Sequence, residues 1–408
     1  MTKIKPNDYV KASPPQPQPP ANTQKPVFKI NLALNESPYP PSPKAVEAYH
    51  QTANELGRYP NYTSADLRLV LSEKYDLDDT RIVCAAGSEQ ILSYIARAYI
   101  GEGDEVIHPR YGFMVYRFNI AMQGATAIAI DHDDDYVIVV DNILNAVTDK
   151  TRLVFLDNPG NPTGTYVPYS EIKRLREELP GHIMLVLDAA YAEFATEDNY
   201  DAGFDLVDEH ENVIVTRTLS KLYGLSSLRV GWAYSTKEIV NTLLHLKGGF
   251  NVSRPAQTAG TAAVLDQAYA DECRDKCRAG IDYLTAELRA IDLEVTSSVC
   301  NFVMLHFPQG RDQMKNADEF LKDHGIMVGP LGAYGLNSTL RITVGTDEEN
   351  QAFIAVMKDS YIFSSSKSSS RTLLLSSTST CSNIATRLSR YSNISLLMSG
   401  SMLCIRGS

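Results

Sequence analysis

TLSKLYGLSSLRVG, residues 218–231, constrains this chain more strongly than any other segment. It follows an apolar run, 212–216, that is typical of a buried strand. A lysine at the end of a strand can form a Schiff base with an aldehyde cofactor, so Lys221 is a candidate for that bond. Ser220 and Arg229 are then placed to bind a phosphate, because a guanidinium group offers a forked and permanently charged contact. The extended pattern SKxxGLxxLRxG therefore predicts a site for a phosphorylated aldehyde.

The region around this segment alternates short apolar runs with amphipathic ones. Helical patterns cover 88–99, 113–122 and 169–178. The runs that read as strands are 81–85, 105–108, 126–130, 152–156, 183–187, 212–216 and 229–233. Buried strands that alternate with helices predict an α/β fold with a mostly parallel sheet. In such a sheet, ligands bind at the carboxyl ends of the strands.

With 408 residues, the chain is longer than a domain with a single hydrophobic core usually is, so we expect two domains. We predict a large domain over 57–266 and a smaller α+β domain over 267–362, with 28–56 joining the small domain. Within the small domain we expect helices at 268–290, 312–323 and 347–358 and strands at 301–306 and 340–344. The Pro- and Gln-rich residues 1–27 and the Ser-rich tail 363–408 have little to bury, and we predict that both are disordered.

Composition excludes several classes of function. The net charge of −11 disfavours nucleic acid and anionic membranes as partners. No apolar run is long enough to span a bilayer, and the N-terminus does not resemble a signal peptide. The six cysteines and eight histidines show no metal-ligand spacing, so we predict no metal site. These features favour a soluble protein of the cytoplasm.

Two further motifs end apolar runs. Asp188 follows 183–187, and a buried carboxylate needs a partner, which the protonated nitrogen of a pyridine ring would provide. The alternative is a helix N-cap. Asn161 lies in Asn158-Pro159-Gly160-Asn161-Pro162-Thr163-Gly164, where its side chain could donate to a phenolic oxygen. The alternative there is an ordinary turn rich in Pro and Gly.

Two weaker motifs also follow strand-like runs. In the segment 86–90, Gly87 would let the backbone approach a ligand closely, and Ser88 and Glu89 would begin a helix whose N–H groups bind a phosphate. Ser88 acting only as an N-cap is the alternative. Tyr111 follows 105–108 and could stack on a flat ring. Together these motifs offer groups that bind a phosphate, an aromatic ring that can stack, a carboxylate for a pyridinium nitrogen, and a lysine. This combination predicts pyridoxal 5′-phosphate (PLP) as cofactor.

These motifs resemble those of the fold-type I aminotransferases and, within them, the histidinol-phosphate aminotransferase family. The supporting segments are Leu34–Tyr39, Arg58-Tyr59-Pro60, Tyr111-Gly112-Phe113, Asn161–Gly164 and Leu340–Gly345. The likeness covers about residues 28–360. It implies a homodimer with shared active sites, in which histidinol phosphate and 2-oxoglutarate exchange an amino group in histidine biosynthesis.

The resemblance also implies a role for each matching residue. Lys221 would carry the cofactor and act as the catalytic base. The residues that would bind the cofactor's ring are Tyr111, Asn161, Asp188 and Tyr191, and those that would bind its phosphate are Gly87, Ser88, Glu89, Ser220, Arg229 and, from the neighbouring subunit, Tyr59. Arg341, Tyr39 and Asn35 would bind the substrate.

Two departures bear on substrate choice, because Pro40 and Lys247 stand where the family commonly has Gly and Arg. Three alternatives to histidinol-phosphate aminotransferase activity remain open. An aromatic amino-acid aminotransferase shares the scaffold, and a PLP-dependent decarboxylase of a phosphorylated amino acid resembles this family closely. A catalytically silent PLP-binding protein is opposed by the complete set of Lys221, Asp188, Asn161 and Arg229.

Overall fold

The structure is a computed structural model that describes residues 28–360. The predictions of disorder for 1–27 and 363–408 concern residues outside that range. Every segment predicted as a strand in the first 235 residues is a strand of one seven-stranded sheet. The strands are β2 (Ile82–Ala85), β3 (Glu105–Pro109), β4 (Thr126–Ile130), β5 (Thr151–Asp157), β6 (Met184–Asp188), β7 (Val213–Thr218) and β8 (Gly231–Ser235).

The order of strands in this sheet is β2-β8-β7-β6-β5-β3-β4. The pairs among β3 to β7 are all parallel, whereas β8 runs antiparallel to both β7 and β2. The prediction of an α/β fold with a mostly parallel sheet is thus confirmed. The reversed β8 matters for function, because its first residue lies at the same edge as the last residues of β5, β6 and β7.

Helices connect and cover these strands because their apolar residues recur at helical spacing. Helix α3 (Ser88–Tyr99), for example, buries Ile91, Leu92, Ile95 and Ala96 against the sheet. The other helices between residues 43 and 265 are α1 (Pro43–Gln51), α2 (Ala65–Tyr75), α4 (Val115–Ala121), α5 (Val140–Asn145), α6 (Tyr169–Glu178), α7 (Phe204–Glu209), α8 (Lys237–Leu246) and α9 (Arg254–Leu265).

A second sheet has five strands in the order β1-β11-β12-β10-β9. Its strands are β1 (Ile30–Leu32), β9 (Glu294–Thr296), β10 (Phe302–His306), β11 (Ile326–Pro330) and β12 (Thr339–Thr343), and its helices are α10 (Gln267–Arg289) and α11 (Arg311–Asp323). The chain is helical again from residue 347. Strand β1 pairs in parallel with β11, so the N-terminal segment contributes to this sheet. The domain boundaries given above stay predictions.

None of the helices within residues 28–360 is both long enough and apolar enough to cross a bilayer.

Candidate active site

A cavity of about 350 Å³ opens where β5, β6 and β7 end. Asp157, Asp188 and Thr218 are the last residues of these strands, and each of them lines the cavity. The other lining residues are Ser88, Glu89, Phe113, Pro159, Asn161, Ala190, Tyr191, Ser220, Lys221 and Arg229. The structure therefore brings together most of the residues that the sequence motifs singled out, at the edge where a ligand is expected.

One end of the cavity is built for an anion. Arg229 stands two residues before the antiparallel β8, and its Nη1 donates to Ser220 Oγ at 3.2 Å. Gly87, with φ of 87°, is the N-cap of α3, so Ser88 is the first helical residue and the alternative of a Ser88 N-cap is wrong. A Cβ on Gly87 would come 2.4 Å from Arg229 Nη2 and would displace that guanidinium, and the positive φ of this residue favours glycine as well. A helix N-terminus and a guanidinium group thus meet around one space.

Lys221 lies in the turn after β7 and is partly buried. Its Nζ donates to the carbonyl oxygen of Asn35 at 3.3 Å and lies 5.6 Å from the centroid of the Tyr191 ring. Burial lowers the pKa of Lys221 to about 8, and the positive charges of Arg341 and Arg229 add to that effect. A substantial fraction of this amine is therefore neutral near physiological pH, as a nucleophile or a general base must be.

Asp188 is buried, and both of its carboxylate oxygens are hydrogen-bonded. Tyr116 Oη donates to Oδ2 at 2.9 Å, and Thr216 Oγ1 donates to Oδ1 at 3.0 Å. Burial raises the pKa of Asp188, and these two donors, together with the charge of Lys221, oppose that rise. The arrangement supports a charged carboxylate that still faces the cavity.

A network joins the opposite wall of the cavity to the second sheet. Arg341, on β12, donates from Nη1 to Asn161 Oδ1 at 2.6 Å and from Nη2 to the carbonyl oxygen of Ala33 at 2.8 Å. Asn35 donates from Nδ2 to Tyr191 Oη at 2.8 Å. Arg341 and Asn35 do not line the cavity themselves, but each touches a residue that does.

Three predicted tyrosines, Tyr111, Tyr39 and Tyr59, also lie outside the lining of the cavity. The ring of Tyr111 stacks on His132, with centroids 5.1 Å apart. Tyr39 lies beneath Lys276, whose Nζ is 5.3 Å from its ring centroid. Tyr59 is 77% exposed and stacks on Phe250. The first two positions leave the predicted ring stacking and substrate contact without support in this arrangement.

Two residues that line the cavity were not singled out in the sequence. Phe113 is an apolar wall of the cavity and stands two positions after Tyr111, in the same motif. Asp157 ends an apolar strand just as Asp188 does, and that signal was present in the sequence. Tyr116, which holds Asp188, lies on α4 and could not be linked to β6 from spacing alone.

Comparison with known proteins agrees with this arrangement. Residues 28–357 match the family model for aminotransferases of class I and II. A histidinol-phosphate aminotransferase from Rhodopseudomonas palustris strain HaA2 is 45% identical over 334 residues, which are 82% of this chain and 91% of the relative. A protein of the same name from Paramagnetospirillum magneticum is 44% identical over 332 residues, 81% of this chain and 91% of that protein.

Solved structures share the fold at lower identity. The histidinol-phosphate aminotransferase of Sinorhizobium meliloti, in complex with pyridoxal-5′-phosphate, has a TM-score of 0.81 at 24% identity and covers 88% of this chain and 98% of its own. A single mutant of the aspartate aminotransferase of Thermus thermophilus has a TM-score of 0.76 at 18% identity, covering 88% and 100%.

The chain belongs to the aminotransferases of class I and II, and it is an enzyme that transfers amino groups. The identity to its sequence relatives extends over nine-tenths of their length. Within the class it therefore belongs to the histidinol-phosphate aminotransferase family, and the resemblance inferred from the motifs is confirmed.

Proposed function

We propose that this enzyme uses PLP to exchange an amino group between histidinol phosphate and 2-oxoglutarate, a reaction of histidine biosynthesis. The observation that carries the proposal is the meeting of Lys221, Asp188, Asn161 and Arg229 around one cavity. Relatives named histidinol-phosphate aminotransferase match most of the chain at 42–45% identity, and the substrate that we propose is taken from that name.

The residues of the cavity fit PLP. Ser88 and Glu89, at the N-terminus of α3, line the cavity together with Ser220 and Arg229, so a phosphate there would meet helix N–H groups, a hydroxyl and a guanidinium. Lys221 is partly buried with a lowered pKa, as covalent capture of an aldehyde requires. Asp188 supplies an anion for a protonated ring nitrogen. Phe113 offers an apolar face for the ring, and we assign to it the stacking role first given to Tyr111.

When bound, PLP supplies an aldehyde and a ring that accepts the electrons released at the substrate carbon. The chain supplies the rest. Lys221 Nζ would accept the proton from the substrate's α-carbon and deliver it to the cofactor carbon that carried the aldehyde, which needs the neutral amine. Asp188 would hold the proton on the ring nitrogen, and Asn161 Nδ2 and Tyr191 Oη would contact the phenolic oxygen. Ser88, Glu89, Ser220 and Arg229 would fix the phosphate, so that the reacting atoms stay near Lys221.

Arg341, which contacts Asn161 of the cavity wall, would bind the anionic group of both substrates. A guanidinium fork accepts either a carboxylate or a phosphate, as a single site for both exchange partners must. Its Nε is buried and has no hydrogen-bond partner among the described residues. Asn35 would assist by orienting Tyr191, and we retain Tyr39 as a weaker candidate for substrate contact.

The visible absorbance of the purified enzyme tests this function. We expect a band from PLP held by Lys221, which histidinol phosphate and glutamate abolish and phenylalanine affects only weakly. A response led by phenylalanine would instead identify an aromatic amino-acid aminotransferase. Release of carbon dioxide without a keto product would identify a decarboxylase, and the absence of any band would contradict the assignment of the cofactor.

We also propose that the enzyme acts as a homodimer. An exposed apolar surface surrounds Tyr59, which is stacked on Phe250 with centroids 4.5 Å apart, and includes Leu56 and Tyr62. Lys247 supports this surface by donating from Nζ to the carbonyl oxygen of Tyr62 at 2.7 Å, so it does not contact the cavity. Exposed apolar residues in such a cluster favour a protein interface. Tyr59 would then reach the cofactor's phosphate in the neighbouring subunit.

Exchanging Tyr59 for Phe tests the shared site. The ring is kept, so light scattering should still give twice the mass of one chain. Loss of the hydroxyl should weaken PLP binding by about 10-fold, because a hydrogen bond to a charged group is removed. Tyr62→Phe, on the same surface, is the control and should bind PLP normally. A monomeric wild type, or a Tyr59→Phe enzyme with unchanged affinity, would refute this arrangement.

We place the enzyme in the cytoplasm. Cys84, Cys273, Cys277 and Cys300 are buried free thiols, which suits a reducing compartment.

A further inference from the structure

Asp157 connects two walls of the cavity through one oxygen atom. Its Oδ2 accepts a hydrogen bond from the backbone N–H of Asn161 at 2.9 Å and another from that of Phe113 at 3.2 Å. Phe113 belongs to the connection after β3, and Asn161 belongs to the turn after β5. Both line the cavity, so their relative position depends on this carboxyl group.

The position of Asp157 is unfavourable for the fold alone. The residue is 4% exposed, and its Oδ1 has no hydrogen-bond partner among the described residues. Asp157 also pairs in register with Asp188 on the neighbouring strand, which places two carboxyl groups side by side. A buried carboxyl group with one unsatisfied oxygen costs stability compared with an apolar residue. A residue kept at such a cost needs a reason beyond packing.

The protonation of Asp157 suits a carboxyl group that acts as a hydrogen-bond acceptor and not as a negative charge. Burial raises the pKa of Asp157 to about 7, and the neighbouring charge of Asp188 contributes to that rise. Oδ2 accepts both backbone N–H groups whether or not the carboxyl group is ionised. An amide in the same place would offer the same acceptor without any charge.

We propose that Asp157 is a positioning residue for PLP, which holds the Phe113 ring and the Asn161 side chain at the spacing that the cofactor ring requires. This inference rests on the proposed function, because it concerns the same cofactor. It assigns Asp157 a task distinct from that of Asp188: Asp188 faces the ring nitrogen, whereas Asp157 acts through the backbone of two other residues.

The test compares three replacements of Asp157 by titrating the apoenzyme with PLP and following the visible absorbance. Asp157→Asn keeps the acceptor and should bind within about 3-fold of wild type, whereas Asp157→Ala should bind at least about 10-fold more weakly. Asp157→Val fills the volume without an acceptor and should bind as weakly as Ala, which keeps the test valid if the Ala variant unfolds. The visible circular dichroism signal of bound PLP should be smaller in Asp157→Ala and Asp157→Val than in wild type, and Asp157→Asn should retain it.

Asn158→Ala is the matched control. Asn158 is buried in the same turn, and its side chain bonds only with the backbone of Val167 among the described residues. The Asn158→Ala substitution should lower the melting temperature and leave the affinity for PLP within about 3-fold of wild type. The positioning role would be overturned if Asp157→Ala bound PLP as tightly as wild type does. It would also be overturned if Asp157→Asn or the control Asn158→Ala lost as much affinity for PLP as Asp157→Ala. Failure of wild type itself to bind PLP would instead overturn the proposed function.

Discussion

Exchanging Lys221 for Ala is expected to abolish amino transfer, with kcat falling by at least about 10³-fold, because general acid–base catalysis alone contributes 10²–10⁴-fold. The variant also loses the covalent attachment of the cofactor. Treatment with borohydride should fix PLP to Lys221 in wild type, as a mass increase on that peptide, and to no peptide in the variant. Single-turnover assays with histidinol phosphate measure the loss of rate.

The lowered pKa of Lys221 adds a second readout. Since the neutral amine attacks the aldehyde, PLP capture by wild-type apoenzyme should accelerate as the pH rises through about 8 and level off above it. Lys315→Ala, at an exposed position on α11, is the control and should behave as wild type in every assay. Substantial turnover by Lys221→Ala, or covalent PLP on another lysine, would mean that the catalytic residue has been misassigned.

The large sheet was predictable because its strands are short, apolar and separated by amphipathic helices. Each predicted strand lies within two residues of the observed one, as 152–156 does within β5. The reversed direction of β8 was not predictable, since a run of apolar residues carries no information on direction. The second sheet was harder, because β1 and β9 have three residues each and β1 pairs with a strand distant in sequence.

The candidate site was predictable where a motif is tied to a strand end. Asp188, Asn161 and Lys221 all follow buried strands and all line the cavity. Tyr111 was predicted to stack on the ring, whereas Phe113 in the same turn lines the cavity, and the sequence does not show which of the two rings faces the sheet edge. Asp157 was overlooked although it has the same signal as Asp188. The contacts of Tyr116 with Asp188 and of Arg341 with Asn161 cross the fold and could be found only from coordinates.

Exchanging Asp188 for Asn should produce the second large effect. The amide leaves a protonated ring nitrogen without its counter-charge, and breaking a buried ion pair costs about 3–5 kcal/mol, so kcat/KM should fall by about 10²–10⁴-fold. The surroundings make the loss worse. Tyr116 and Thr216 donate to both carboxylate oxygens, and an amide can accept at only one of those places. Steady-state kinetics and the visible spectrum of bound PLP measure the effect.

Tyr116→Phe is the graded comparison, because it removes one donor and leaves the carboxylate in place. It should lower kcat/KM by about 10-fold, as expected for one hydrogen bond to a charged group. The order wild type, Tyr116→Phe, Asp188→Asn then separates the charge of Asp188 from its orientation. If Asp188→Asn kept activity within 3-fold of wild type, Asp188 would not hold the ring proton. Asp157, its neighbour in register, would then be the carboxyl group to examine for that task.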